Sequence, residues 1–210
     1  MHALQIERLK TKEKAQKGLE YLSEQPFEIT SFEQKDAKEG NPRLYDLTSL
    51  QVDGNRYYAY SAEETLNKVQ SLYEKKLVTY PRVDTTYLSE DLHPKIPGIL
   101  SGLRDYKRFT EALAGKPIKK SKQIFDDKKI TDHHAIIPTD KALKSASLNS
   151  SEAKLYWLIA RQFLWQFFPP FCYLEQQALL KIAGGLFKAQ ARLVQSLGWK
   201  AFYKVSQKEE

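Results

Sequence analysis

A tyrosine, a proline and an arginine follow one another in the segment KLVTYPRVDTTYLS. Pro81 disfavours helical backbone for the residue before it and restricts its own φ, so Tyr80-Pro81-Arg82 is predicted to be extended. Residues two apart then share a face, which puts Tyr80, Arg82 and Asp84 on one side. A phenol with an ordinary pKa of about 10 is a poor nucleophile until its phenolate is stabilised, and a guanidinium can do this while also gripping phosphate. The pattern favours attack on a phosphodiester.

An ordinary structural arrangement would show the same spacing. The chain contains 12 tyrosines, and a tyrosine that packs beside a surface arginine is the commoner case. Both interpretations of Tyr-x-Arg stay open on spacing alone.

The segment KITDHHAIIPTD places His133 and His134 side by side, and three interpretations compete. Adjacent residues of an extended segment point to opposite faces, and only His93 is near enough in sequence to be a third ligand, which disfavours a metal site. A histidine close to Tyr80 would instead donate a hydrogen bond to a phosphate oxygen as charge develops. Ordinary structural histidines remain the third possibility.

Several known chemical motifs are absent from the sequence. It has no Gly-rich phosphate loop, no Cys-x-x-Cys pair, no His-Glu-x-x-His and no paired-carboxylate motif suited to magnesium. Asp126-Asp127 lies in a lysine-rich stretch and is expected to be solvated. No metal ligand is therefore predicted among these residues. Four further aromatic residues would either stack unpaired bases or, more commonly, pack in the core: Tyr57, Tyr58, Tyr60 and Tyr87.

The composition favours a folded protein with an anionic partner. Of 210 residues, 41% are hydrophobic and 12% aromatic, and Lys plus Arg (33) exceed Asp plus Glu (26), which gives a net charge of +7. The single cysteine, Cys172, excludes an internal disulfide. No apolar run is long enough to cross a bilayer, so a cytosolic location without a membrane partner is expected.

Helical and extended patterns occur on both sides of the tyrosine. The spacing of apolar residues predicts a helix over 12–24, and Pro26 then opens an alternating, strand-like stretch, FEITSFEQ. Ser61 and Glu64 stand at capping-box spacing and predict a helix over 62–76, which leads to the tyrosine segment. The mostly polar stretch over 94–122 is helical in character.

The last third of the chain has a second helix start and a hairpin. Asn149 and Glu152 repeat the capping-box spacing before LYWLIARQFLWQFF, which is apolar nearly all round and predicts a buried helix that ends at Pro169-Pro170. Two alternating stretches around Gly184-Gly185 predict a β-hairpin. This layout suggests that residues 46 to 146 are inserted into a second unit formed by the flanks.

The combined motifs resemble those of a known family. The run LYDLTSLQVDGNRYYAYSAEETLNKVQSLYEKKLVTYPRVDTTYLS resembles the active-site region of type IA DNA topoisomerases, and TDHHAIIPT resembles the block that follows it. The similarity covers essentially the whole chain. Pro81 and the His-His-Ala-Ile-Ile-Pro-Thr form are more similar to the topoisomerase III branch. Val83 is a departure, since the family usually has a small hydroxyl residue there.

The resemblance assigns a role to each candidate side chain. It implies that Tyr80 is the nucleophile that becomes linked to a 5′ phosphate, that Arg82 positions the scissile phosphate, and that His133 assists through a hydrogen bond to the phosphate. His134 and Gln51 are expected to contact the DNA.

The resemblance also implies the architecture. A multidomain α+β protein is expected, in which a helical tyrosine-bearing domain (46–146) is inserted into a β-rich arch formed by residues 1–45 and 147–210. The acidic N-terminal domain of the family, which binds Mg²⁺ through a glutamate and an Asp-x-Asp motif, has no counterpart in this sequence. Mg²⁺ is therefore expected to be the cofactor of a longer parent chain and to bind outside these residues.

The implied activity is ATP-independent isomerisation of DNA by transient cleavage of one strand, with single-stranded DNA as the preferred partner. The protein would act in the cytoplasm in association with the nucleoid, and the isolated fragment would not relax supercoils. One alternative is a catalytically idle single-strand-binding module of the same fold. Another, a relaxase-like nicking enzyme, needs a His-hydrophobic-His metal motif, whereas the two histidines here are adjacent.

Overall fold

The computed structural model describes residues 11–103, 106, 110–111, 113, 115–141 and 148–202. The described helices and strands are, in chain order, α1 (Lys12–Ser23), β1 (Phe27–Glu39), α2 (Leu47–Tyr58), α3 (Ala62–Glu74), α4 (Ile96–Gly102), α5 (Ser150–Trp165), β2 (Phe171–Ile182) and β3 (Gly185–Ser196). Short 3₁₀ turns span Glu90–Lys95, Asp127–Lys129 and Gly198–Phe202.

The chain divides into two compact units. The sheet unit comprises Met1–Lys38 and Cys172–Ser196, and the core unit comprises Glu39–Phe171 and Leu197–Glu210. The chain thus leaves the sheet unit, forms most of the core unit and returns.

Both capping boxes predicted from the sequence are confirmed in the core unit. Ser61 accepts from the Glu64 amide at the start of α3, and the Glu64 side chain accepts in return from the Ser61 amide. Asn149 and Glu152 make the same reciprocal pair at the start of α5. Helix α3 ends two residues before the predicted position because Lys76 takes a left-handed backbone conformation, with φ of 60°.

Helices α2, α3 and α5 pack against one another. Gly54 of α2 permits the close approach of α3, because a Cβ there would lie 2.8 Å from Thr65 Oγ1. Helix α5 is buried along most of its length, as its continuous apolar sequence predicted, and its largest fully buried side chains include Tyr156 and Phe163. Helix α3 contacts the tyrosine segment through Tyr73, and the first residue of α2, Leu47, hydrogen-bonds to Val83.

The sheet unit contains the predicted hairpin. β2 and β3 pair antiparallel up to Ile182 opposite Gly185, and β2 lies between β1 and β3. Ala183 and Gly184 form the turn with φ of 47° and 79°, the two positive values that a type I′ hairpin needs. β1 continues beyond the predicted FEITSFEQ to Glu39, since its pairing with β2 does not depend on apolar alternation.

The α+β class is confirmed by the helices and the three-stranded sheet. Insertion of a helical domain into a β-rich arch stays a prediction. The predicted domain bounds stay a prediction as well. Helix α5, which falls in the 147–210 range, packs on α2 and α3 in the core unit. The expected boundary at 146/147 and both chain ends, 1–10 and 203–210, lie outside the described residues, as does part of the helical stretch over 94–122.

Candidate active site

Two short segments pair beside the tyrosine. The Thr79 amide donates to the Ile137 carbonyl and the Thr139 amide donates to the Leu77 carbonyl, each at 3.0 Å, so Val78 and Pro138 stand opposite each other in an antiparallel bridge. Val78 and Pro138 form a non-hydrogen-bonded pair in this register. The N–H that proline lacks is therefore not needed for the pairing. The pairing brings the residues before Tyr80 next to those after His133.

Next to this bridge, the Thr79 side chain makes two hydrogen bonds to the opposite segment. Its Oγ1 accepts from the Ile137 amide at 3.0 Å and donates to the Ala135 carbonyl at 3.1 Å. Ala135 and Ile137 are both buried, and an unsatisfied buried amide costs about 1–3 kcal/mol. The hydroxyl therefore replaces a main-chain acceptor just before the backbone turns at Tyr80-Pro81.

Tyr80 lies between two rings from other parts of the core unit. The centroids of Tyr80 and His133 are 4.5 Å apart with the planes tilted by 41°, and Tyr73 of α3 meets Tyr80 edge-on at 5.6 Å. Tyr80 itself is half-buried. The phenol is thus held by ring contacts on a surface that a substrate can reach.

The residues after Tyr80 alternate in burial as an extended segment should. Pro81 and Val83 are buried, whereas Arg82 and Asp84 are exposed. The described residues make no hydrogen bond or ion pair with the Arg82 guanidinium. A half-buried phenol and an exposed guanidinium therefore stand two residues apart in this segment.

The buried side of the same segment is anchored to the core unit. The Val83 carbonyl accepts from the Leu47 amide at 3.1 Å, and the Thr85 hydroxyl donates to the Lys129 carbonyl at 2.7 Å. Val83, the departure from the family pattern, packs in the core with 8% of its surface exposed. An apolar residue suits that position, because its side chain points away from the accessible face.

His134 makes a hydrogen bond within its own segment. Its Nδ1 donates to the Ala135 carbonyl at 2.8 Å, so one of its two ring nitrogens is engaged within its own segment. Burial lowers the pKa of His134 below its ordinary value, and the hydrogen bond to Ala135 offsets part of that effect. The neutral ring is therefore favoured.

The remaining predicted residues have other partners. Gln51 donates from Nε2 to the Ala62 carbonyl at 3.0 Å and so ties α2 to the first turn of α3. Tyr80 and His133 are thus joined by a ring contact, whereas no hydrogen bond or ring contact links Tyr80 to Arg82, His134 or Gln51.

The described residues do not assemble a metal site. His93 hydrogen-bonds through Nε2 with the Ile118 carbonyl at 2.8 Å and packs edge-on against Phe125. In the part of the chain that the structure describes, no three His, Cys, Asp or Glu side chains gather closely enough to hold an ion. Of the two aspartates expected to be solvated, Asp127 is exposed and accepts from the Glu90 amide at 2.8 Å.

A buried carboxylate supports the helix that carries Tyr73. Glu152 accepts from Lys75 Nζ and from Ser71 Oγ, each at 2.6 Å, and so links the start of α5 to the end of α3. Burial alone would raise the pKa of Glu152, but the hydrogen bonds from Lys75 and Ser71 outweigh it and the pKa falls below its ordinary value. The charged form is the stable one.

The other tyrosines considered for base stacking are mostly engaged with cations. Lys68 Nζ lies 4.6 Å from the Tyr60 ring centre, and Arg43 lies 4.9 Å from that of Tyr87. Tyr57, which is 40% exposed, faces Arg161 at 4.9 Å. These contacts account for the ring positions without a ligand.

Two residues of the site were not singled out from the sequence. Tyr73 is an apolar-face residue of α3 by its spacing, and only packing reveals its contact with Tyr80. Thr79 is one of many threonines until the partner segment is known. The one available signal is position, since Thr79 directly precedes the tyrosine.

No helix among the described residues has the length and apolar character needed to cross a membrane.

Comparison with known proteins identifies the family. A family model described as DNA topoisomerase matches residues 2–210. DNA topoisomerase 3 of Bacillus subtilis is 43% identical over 172 residues, which are 80% of this chain and 24% of that protein. DNA topoisomerase 3 of Bacillus licheniformis is 40% identical over 192 residues, 90% of this chain and 26% of that protein. The chain thus spans about a quarter of the length of these relatives.

A solved structure shows the same fold. Full-length topoisomerase I from Thermotoga maritima superposes with a TM-score of 0.67 and 21% identity over 96% of this chain and 33% of that one. The matched sequence range, the identities to the Bacillus proteins and the shared fold agree with the resemblance carried by the tyrosine segment. The chain therefore belongs to the DNA topoisomerase family, within its type IA class.

Proposed function

We propose that this chain carries the strand-cleaving site of a type IA DNA topoisomerase, with Tyr80 as the nucleophile. The observation that carries the proposal is the contact of the Tyr80 and His133 rings at 4.5 Å, with an exposed Arg82 two residues after the tyrosine. A phenol can attack a phosphodiester covalently, and a guanidinium and an imidazole can stabilise the charge that develops on the phosphate.

The proposed reaction exchanges one phosphoester for another. The Tyr80 oxygen bonds to phosphorus, and the bond from phosphorus to the 3′ oxygen of the neighbouring nucleotide breaks. The phenol loses a proton and the departing 3′ oxygen gains one, so charge and protons balance. The 5′-phosphotyrosine preserves the energy of the broken bond, and attack by the 3′ hydroxyl reseals the strand. Relaxation or unlinking of DNA takes place between the two steps.

Arg82 and His133 stabilise the phosphate in this scheme. Arg82 has no other partner among the described residues and can present two parallel N–H groups to the non-bridging oxygens. His133 is exposed beside the phenol and can donate one hydrogen bond to the same phosphate as charge develops. His134 and Gln51 are proposed to contact the DNA outside the reacting centre.

Magnesium is proposed to bind outside this chain. Mg²⁺ prefers several oxygen ligands, including carboxylates, and the described residues do not gather such a group. The residues described thus do not fit the ion, and none of the steps above passes through it.

The proposal includes partners in a longer parent protein. Single-stranded DNA is the expected partner, in keeping with the net charge of +7. The chain spans about a quarter of its Bacillus relatives, which supports a parent whose N-terminal domain supplies the acidic magnesium site. The parent would act in the cytoplasm, in association with the nucleoid.

A denaturation-trap experiment tests the nucleophile. The full-length parent is mixed with end-labelled single-stranded DNA and Mg²⁺, denatured rapidly and examined for DNA attached covalently to protein. We expect an adduct from the unaltered protein and none from Tyr80→Phe. Tyr87→Phe, which removes a phenolic oxygen from the same segment, is the matched control and should form the adduct.

The same experiment separates the roles of the neighbours. Arg82→Ala should lower the yield of adduct by about 10²-fold or more while the protein stays folded, because removing one transition-state donor typically has an effect of that size. DNA binding without any adduct in the unaltered protein would refute the proposal and favour the idle binding module.

A further inference from the structure

The hydroxyl of Thr79 connects the segment that carries Tyr80 to the segment that carries His133. It accepts from the Ile137 amide at 3.0 Å and donates to the Ala135 carbonyl at 3.1 Å, while the Thr79 amide donates to Ile137 at 3.0 Å. One residue thus makes three hydrogen bonds to the opposite segment, immediately before the nucleophile.

The Ala135 carbonyl is the centre of this connection. It accepts both from Thr79 Oγ1 at 3.1 Å and from His134 Nδ1 at 2.8 Å. The second bond turns the His134 ring back onto its own segment, whereas its neighbour His133 contacts Tyr80. The carbonyl that Thr79 holds thus lies two residues after His133, in the short segment that presents the imidazole to the phenol.

We propose that Thr79 is a positioning residue that holds Tyr80 and His133 in their mutual geometry through its side-chain hydroxyl. This inference rests on the proposed function of Tyr80. Because the hydroxyl accepts from the buried Ile137 amide, the backbone can end its pairing at Tyr80-Pro81 while that amide keeps an acceptor. The phenol can then face the substrate while Thr79 stays fixed.

The chain offers a matched control for this residue. The Thr139 hydroxyl donates to the Lys76 carbonyl at 2.7 Å and so also links the same two segments, but on the side of the Val78–Pro138 bridge away from Tyr80. Loss of either hydroxyl removes a hydrogen bond between the segments. Only the loss at Thr79 should alter the position of the phenol relative to the imidazole.

The test uses the full-length parent with Thr79→Val, Thr79→Ser and Thr139→Val. The rate constant of adduct formation is measured in a single turnover with saturating single-stranded DNA, and the dissociation constant for DNA is measured separately. We expect Thr79→Val to slow adduct formation by about 10²-fold at unchanged affinity, because small displacements of a reacting group have effects of that size. Thr79→Ser should restore most of the rate, and Thr139→Val should stay within about threefold of the unaltered protein.

A second measurement reports the geometry directly. Fluorotyrosine placed at position 80 gives a ¹⁹F shift that depends on the adjacent ring, and His133→Ala defines the shift without that ring. Thr79→Val should move the signal towards this reference, and Thr139→Val should not. Unaltered rate and shift in Thr79→Val, or equal effects of the two valine variants, would overturn the inference.

The two hypotheses fail separately. If the unaltered parent formed no adduct, the proposed function would fall, and the ¹⁹F shift would still decide whether Thr79 holds the two rings together. If the adduct formed and Tyr80→Phe abolished it while Thr79→Val changed neither the rate nor the ¹⁹F shift, only the role of Thr79 would be refuted.

Discussion

The two compact units bury their side chains very differently. Every hydrophobic residue described as buried belongs to the core unit, from Leu44 to Trp199, whereas no sheet-unit residue in 11–13, 16–38 or 172–196 is buried. The sheet unit instead exposes large apolar side chains on its helix and strands: Leu19, Tyr21, Phe27, Ile29, Phe32, Leu179, Leu186, Phe187, Leu193 and Val194.

The difference shows which forces hold each unit together. Full burial of a large apolar side chain contributes about 1.5–3 kcal/mol, and the core unit has many. The sheet unit relies on its strand ladder and on surface contacts such as Lys35–Glu175 at 2.9 Å, which solvent screens. A site that needs fixed geometry gains from its location in the core unit, and Tyr80 lies there.

The largest expected contrast comes from truncating one phenylalanine in each unit. Phe163→Ala removes a fully buried ring of α5 and should lower the free energy of unfolding by about 3–5 kcal/mol. Phe32→Ala alters a side chain that is 53% exposed and should change it by about 0.5 kcal/mol or less. Urea titrations followed by far-ultraviolet circular dichroism measure both. Similar losses of unfolding free energy in the two variants would contradict the difference in burial between the two units.

The next contrast compares one carboxylate in each unit. Glu152→Ala leaves Lys75 and Ser71 without a partner, removes half of a capping box, and should cost about 3 kcal/mol. Glu175→Ala breaks an ion pair whose lysine side chain is 72% exposed, and should leave the free energy of unfolding nearly unchanged because solvent screens the pair. The same titrations apply, and a large loss for Glu175→Ala would show that surface pairs stabilise the sheet unit.

The pH dependence of stability should also separate the units. The pKa of folded His134 lies below its ordinary value of 6.5, so the unfolded chain binds more protons in the interval between the two values. The contribution of His134 to the stability of the core unit should therefore be fully present above about pH 6.5 and should be lost as the pH falls below that value. The loss is at most about 1.4 kcal/mol for each pH unit by which the two pKa values differ.

Amide hydrogen exchange in each unit at several pH values, corrected for intrinsic rates, measures this dependence. His134→Gln should flatten it in the core unit. The described residues of the sheet unit include no histidine, so the exchange rates of their amides should show no change of stability in this pH range. A step that survives in His134→Gln would assign the effect to another group.

The smallest expected effects concern two alanines with left-handed backbone. Ala59 ends α2 with φ of 56°, and Ala183 lies in the hairpin turn with φ of 47°. Ala59→Gly and Ala183→Gly should each stabilise their unit by about 0.5 kcal/mol, because relief of this strain exceeds the entropic cost of glycine. Ala153→Gly, at an exposed helical position of α5, should instead destabilise by about 0.5–1 kcal/mol. Thermal melts of the three variants rank them.

Local signals were predictable because they depend on residues three or four apart. The capping boxes of Ser61 and Asn149 form within one helical turn, and the turn at Gly184 is set by its own backbone freedom. The absence of helix at Tyr80-Pro81 follows from the proline ring alone. The exact lengths of α3 and β1 did not follow, because a left-handed Lys76 and the pairing with β2 decide them.

The sequence by itself determined the elements, the family resemblance and the candidate nucleophile, since each depends on short-range sterics or on an ordered set of motifs. Only the tertiary structure decided that His133 contacts Tyr80, that Tyr73 covers its edge and that the Thr79 hydroxyl joins the two segments. It also decided that α5 packs in the core unit and that the described strands of the sheet unit leave large apolar side chains exposed. These contacts join residues distant in sequence, and packing selects them from many pairings that local chemistry allows equally well.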